Sequence, residues 1–288
     1  GLIDEAIIDD HVRKILTARF RLGMFDPQRL NPYNKQPDTT LFNPMALQIA
    51  QESMVLLKNE NDLLPLDVKK YKRIAVVGPN AADSVMLSGN YNGTPRHTVT
   101  ILEGIRNELA KLPENERPEL YFDTLCHYVD GLYKLPAEFD RKVNQCDLIL
   151  FVGGLSPLLE GEQLKVDADG FLGGDRTSIE LPRIQEGMLM NLKKFGKPIV
   201  FVLCSGSAVA LDWEAANLDA ILCAWYGGQQ GGQAVADILF GKYNPGGKLP
   251  ITFYSKNNEL PPFENDVSDF VIITAVSDDI YNFLCNFK

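Results

Sequence analysis

The sequence predicts an α/β protein, a mostly parallel sheet covered by helices on both faces (an α/β sandwich). The first sign is a set of short, continuously apolar runs: Ile74-Ala75-Val76-Val77, Leu148-Ile149-Leu150-Phe151-Val152, Ile199-Val200-Phe201-Val202-Leu203 and Ala220-Ile221-Leu222. A strand that is apolar on both sides must be buried on both sides, as in a parallel sheet between helical layers. The second sign is the alternation of these runs with segments of helical apolar spacing. The third is glycine after each run, at Gly78, Gly153-Gly154, Gly206 and Gly227-Gly228. In such sheets ligands sit outside the carboxyl ends of the strands, so the loops after Val77, Val152, Leu203 and Tyr226 are where function is to be sought.

Residues 1–26 read as one amphipathic helix, with Ile3, Ile7, Ile8, Val12, Ile15, Leu16 and Phe20 on one stripe and Gly23 at its end. Asn31 to Phe42 is rich in Pro, Asn and Thr without periodicity, a linker or surface arm. A second helix is expected from Asn43-Pro44, a cap followed by proline in the first turn, running through Leu57. Strands are then expected at 73–77, 120–122, 147–154, 198–203, 220–226 and 250–254. Helices are expected at 102–112, 181–195 and 231–240. No internal repeat interrupts this order.

The chain of 288 residues can build one large core or two modest ones. Hydrophobic residues make up 45% and charged residues 23%, and the formal net charge is −10. That balance argues against nucleic acid as a partner, because phosphate neutralisation needs clustered Lys and Arg. Five cysteines at wide spacing and three histidines carry no metal or redox signature, and buried free thiols are the simple reading of the cysteines. No apolar stretch reaches the ~20 residues of a membrane span. The chain opens Gly1-Leu2 rather than with Met and the basic-then-apolar pattern of a signal peptide, which fits a fragment.

No cofactor is expected. The strand-end glycines lack the spacing of a dinucleotide fingerprint and the Lys of a phosphate loop, and Glu160 and Glu162 would repel phosphate. The long segment from Leu155 to Pro182 holds Glu160, Glu162, Asp167, Asp169, Asp175, Arg176 and Glu180. Loops longer than about 12–15 residues without regular structure are usually functional or disordered. Its composition favours a solvated acidic loop with an Asp175–Arg176 ion pair, while its glycines at 161, 170, 173 and 174 suit a lid over a shared site.

Gly154-Leu155-Ser156-Pro157-Leu158-Leu159-Glu160-Gly161-Glu162, followed by Gly173-Gly174-Asp175-Arg176-Thr177-Ser178-Ile179-Glu180-Leu181-Pro182, resembles the acid/base region of family 3 glycoside hydrolases of the β-glucosidase and β-xylosidase kind. Ala50 to Asn59, Ile74 to Ala81 with Gly89-Asn90-Tyr91, Ala224 to Gly232 and Gly241 to Pro250 are similar to further stretches of the same family, in order. The resemblance implies a division into 1–42, the last barrel helix and a linker, and 43–264, the C-terminal α/β sandwich domain; 265–288 is an atypical tail that departs from the family pattern and fits a shifted reading frame. The resemblance also implies a retaining β-glycosidase acting on terminal β-glucose or β-xylose units, with no metal or organic cofactor. Its partners are a β-linked saccharide and a barrel domain, absent from this chain, that bears the nucleophilic Asp. The acid/base is then a Glu of the Leu155–Pro182 loop: Glu160 is the first choice and Glu162 the runner-up. Asp175 and Arg176 organise that loop, and Asn90 and Tyr91 are candidate sugar contacts. Without the barrel, the alternative is an inactive carbohydrate-contacting module.

Overall fold

The computed structural model describes residues 2–30, 38–131, 136–160, 164–172 and 175–256, apart from the side chains of Leu172 and Asp175. The sequence expectations for 265–288 therefore lie outside the described residues, as does Glu162. The chain divides into two compact units, Gly1–Phe42 and Asn43–Lys288.

In the first unit, helix α1 spans Glu5–Arg21. Asp4 caps it by accepting from the Ala6 N–H at 3.1 Å, and Arg19 and Arg21 sit in the last turn, where the helix dipole favours positive charge. The helix is shorter than the expected 1–26, and Gly23 follows it at φ 67°. Its stripe of Ile3, Ile7, Ile8, Val12, Ile15, Leu16 and Phe20 is exposed.

The second unit opens with α2 (Asn43–Ser53), but the expected continuation through Leu57 is a strand, β1 (Val55–Asn59). The reason is tertiary. Val55 and Leu57 face one core as a period-2 pair, and β1 finds its hydrogen bonds antiparallel to β8 (Ala220–Cys223), with Val55 opposite Cys223. Between β1 and β8 come β2 (Arg73–Val77), α3 (Ile101–Ala110), β3 (Glu119–Asp123), α4 (Ala137–Asn144), β4 (Leu148–Gly154), the short helix α5 (Pro157–Glu160), the hairpin β5–β6 (Phe171–Leu172, Asp175–Arg176), α6 (Arg183–Lys193), β7 (Ile199–Cys204) and α7 (Asp212–Asn217). Helix α8 (Gly231–Leu239) follows β8.

The six-stranded sheet runs β1-β8-β7-β4-β2-β3, parallel throughout except for the edge strand β1. One face packs Ile74, Val76, Leu150 and Val202 against α2, α3 and α8; the other packs Ala75, Val77, Phe151 and Phe201 against α4 and α6. Burial at about 25 cal/mol per Å² makes each such Leu, Ile or Phe worth about 1.5–3 kcal/mol. Both faces being covered is what made these strands continuously apolar.

Two other expectations are corrected. The strand expected over 220–226 ends at Cys223, because Trp225 adopts φ 54° and turns the chain off the sheet. Residues 250–254 form no strand; the chain there instead reaches α7, where Asp212 accepts from the Ser255 hydroxyl at 2.5 Å and the Lys256 N–H at 3.1 Å. The sequence reading also passed over α4, α7 and the β5–β6 hairpin.

Candidate functional site

The order of the strands places the carboxyl ends of β2, β4, β7 and β8 along one edge, and their following loops meet there. After β2, the Asn80 amide donates to the Leu155 carbonyl at 2.8 Å, tying the first loop to the second. After β4, Gly154 takes φ 128°, and a Cβ there would lie 2.0 Å from the Cys204 carbonyl oxygen of β7, so only glycine fits. Gln185 of α6, wholly buried, locks this turn from behind: its Oε1 accepts from the Gly154 N–H at 2.8 Å, and its Nε2 donates to Gly154 O and Tyr128 O, each at 2.7 Å. The Leu155 N–H then donates to Cys204 O at 2.7 Å, and α5 begins, its Glu160 N–H donating to Ser156 O at 3.0 Å.

Helix α5 thus delivers Glu160 to the loops that follow β7 and β8. Its Oε2 accepts from the Gly206 N–H at 2.8 Å and from the Tyr226 hydroxyl, and its Oε1 accepts from the Ser207 hydroxyl. Burial, and then the Glu160 carboxylate, raise the Tyr226 phenol above its ordinary range, so it stays protonated and donates.

Arg176, on β6, stands on the far side of Ser207. Its Nη1 donates to Ser207 Oγ at 3.1 Å and to Ala208 O at 3.0 Å, its Nε to Ser178 O at 3.0 Å and its Nη2 to Glu180 O at 3.0 Å. Burial lowers the Arg176 guanidinium from its ordinary value while Glu160 pulls it upward. These partners belong to the return limb of the long loop and to the turn after β7.

Asn90 and Tyr91 belong to the loop after β2 and are exposed, Tyr91 at φ 54° and 91% accessible. Their neighbour Gly89 lies against Tyr226, whose Cβ would be 3.9 Å from a side chain there. The structure therefore brings Glu160 and Arg176 together through Ser207 and places the Asn90–Tyr91 loop beside Tyr226. Asp175 is in β6. Sequence reasoning missed Gly206, Ser207, Tyr226 and Gln185 as site residues. The first three had a signal, being at strand ends already marked as functional loops; Gln185 had none, since an amide inside a helical repeat is indistinguishable from a surface residue.

Among the described residues, no group of three or more His, Cys, Asp and Glu could hold a metal ion, and no helix is long and apolar enough to cross a membrane.

The model of the glycosyl hydrolase family 3 C-terminal domain matches residues 54–283. The chain is 32% identical to a xylan 1,4-β-xylosidase of Xylanibacter ruminicola, over 92% of its own length and 47% of the relative's. It is 34% identical to a periplasmic β-glucosidase of Salmonella typhimurium, over 91% of its length and 36% of the relative's. Among solved structures it resembles a family 3 exo-β-xylosidase in complex with a xylobiose aziridine activity-based probe, with TM-score 0.70 and 28% identity, covering 89% of this chain and 31% of that one. The chain thus spans between about a third and a half of the length of these proteins.

Proposed function

Since the chain belongs to glycosyl hydrolase family 3, of which it carries the C-terminal domain, we propose that it supplies the acid/base half of a retaining β-glycosidase acting on terminal β-xylose or β-glucose. The nucleophilic Asp comes from a barrel domain outside these residues. The observation that supports this is the convergence of the loops after β7 and β8 on the carboxylate of Glu160, which the loop after β4 carries, at the edge where α/β sheets bind ligands.

The two candidate carboxylates divide the work. A proton donor needs an oxygen that faces the glycosidic oxygen of the sugar. Both oxygens of Glu160 are already met by protein donors, three in all. Glu160 is therefore the anchor of the loop, and the acid/base role falls to Glu162. Two residues of chain reach at most about 7 Å, so anchoring Glu160 restricts where the Glu162 carboxyl can go. In a retaining enzyme it must stand about 5–5.5 Å from the nucleophile, protonate the leaving oxygen, and then take a proton from the water that releases the sugar.

The test is a chimaera joining this chain to the N-terminal part of the Xylanibacter ruminicola relative. Glu162→Gln should cost about 10²–10⁴-fold in kcat on aryl β-xylosides with poor leaving groups. It should cost far less on dinitrophenyl glycosides, which leave unaided, and azide should rescue Glu162→Gly as the β-glycosyl azide. The same signature at Glu160 instead of Glu162 would return the acid/base role to Glu160. Its appearance at neither would remove the assignment from this loop. The chain by itself should turn over neither aryl β-glucoside nor aryl β-xyloside.

A further inference from the structure

The geometry points to Ser207 as a positioning residue: one hydroxyl that buckles the two ends of the acidic loop together and thereby sets where its proton donor stands. This rests on the proposed reading of that loop. Glu160 lies on the outgoing limb and Arg176 on the return limb, and Ser207 Oγ is hydrogen-bonded to both. The direction of each bond is fixed. An arginine can only donate, so Arg176 Nη1 fills an acceptor site on Ser207 Oγ. The hydroxyl proton of Ser207 is then free to go to Glu160 Oε1, which accepts it.

The serine is itself held. The Ser205 hydroxyl donates to the Ser207 carbonyl at 2.8 Å, and the neighbouring Gly206 N–H donates to Glu160 Oε2 at 2.8 Å. Arg176 also grips Ala208 O at 3.0 Å, so the turn after β7 is clasped by both limbs. Joining the limbs at one point closes the segment between them into a loop with far fewer conformations. Pre-placing a catalytic group in this way removes orientational entropy from the reaction step. Tyr226 reaches the outgoing limb directly, through Glu160.

Hydrogen exchange of the full 288-residue chain, resolved by mass spectrometry, reads the buckle directly. Ser207→Ala should accelerate exchange in peptides over 156–160 and 176–182 together, by about tenfold or more, while β4 and β7 keep their protection. Ser207→Thr, which keeps the hydroxyl, should restore both limbs. Glu160→Gln should loosen the return limb as well as its own, because Ser207 then loses its strongest acceptor; this variant serves should Ser207→Ala unfold. Tyr226→Phe should loosen the outgoing limb alone. Acceleration confined to one limb in both Ser207→Ala and Glu160→Gln, or absent from both, overturns the buckle.

A catalytic readout separates positioning from mere stability. In the chimaera, the kcat loss of Ser207→Ala should grow with the pKa of the leaving group, as that of Glu162→Gln does. Glu162→Gln without that dependence defeats the assignment of the acid/base role to Glu162. Glu162→Gln with it, beside a Ser207→Ala variant that loses rate equally on all leaving groups or not at all, defeats the buckle alone.

Discussion

At the scale of single residues, the most informative group outside the site is Glu214 of α7. It is 1% exposed, its Oε1 accepts no hydrogen bond among the described residues, and burial, with Glu186 and Asp212 nearby, raises its carboxyl to about 7. The ordinary value of 4.5 holds in the unfolded chain, so between these pH values the folded state binds the extra proton. Stability is therefore full below about pH 4.5 and falls as pH rises through 7, by about 3 kcal/mol at most on linkage grounds. Denaturation midpoints measured from pH 4.5 to 8 should show that decline, and Glu214→Gln should flatten it and stabilise the protein at pH 8. An unchanged slope in the variant would mean that Glu214 is not the group that titrates. Glu214 could not have been singled out from sequence: Asp212-Trp213-Glu214 reads as an ordinary acidic helix start, and only packing shows which carboxyl points inward.

At the scale of elements, the pair α3 and α8 shows how closely two helices are drawn onto one sheet face. A Cβ on Gly104 of α3 would lie 2.1 Å from the Gly232 carbonyl oxygen of α8. Gly104→Ala should therefore force the helices apart and cost about 1–3 kcal/mol, the usual range for overpacking, read as a lower urea midpoint at unchanged m-value. A midpoint equal to the parent's would show that the helices separate without cost. The buried Glu108 ties the same pair, accepting from Lys111 at 2.5 Å, from Gln233 of α8 at 2.6 Å and from Lys242. These donors outweigh its burial and hold its carboxyl below the ordinary value. The position of α3 was legible from apolar spacing, because it lays a stripe on the core, and that of α8 from its nearly continuous small and apolar residues, which are buried almost all round. The end of α2 was not, because Val55-Leu56-Leu57 satisfies a helical and a strand pattern alike, and pairing with β8 decides between them.

At the scale of the whole molecule, the unit Gly1–Phe42 exposes an apolar stripe on α1, including Ile7 at 52%, Ile15 at 54% and Phe20 at 65%. Contiguous apolar surface of this kind drives association in water. Sedimentation of the chain should show self-association that rises with concentration and that Ile8→Glu with Ile15→Glu weakens; a monomer at all concentrations would contradict it. The sequence by itself determined the α/β class and its mostly parallel strands, and it pointed to the strand ends and the acidic loop as the places to seek function. It could do so because buried strands must be apolar on both sides and strand-end turns need glycine, and both demands are local. What only the tertiary structure decided is which groups meet the Glu160 carboxylate. Its partners Gly206, Ser207 and Tyr226 lie 46 to 66 residues further along the chain, in the loops after β7 and β8. Hydrogen-bond partners so distant in sequence leave no periodicity to read; they exist only once the sheet has set β4, β7 and β8 side by side.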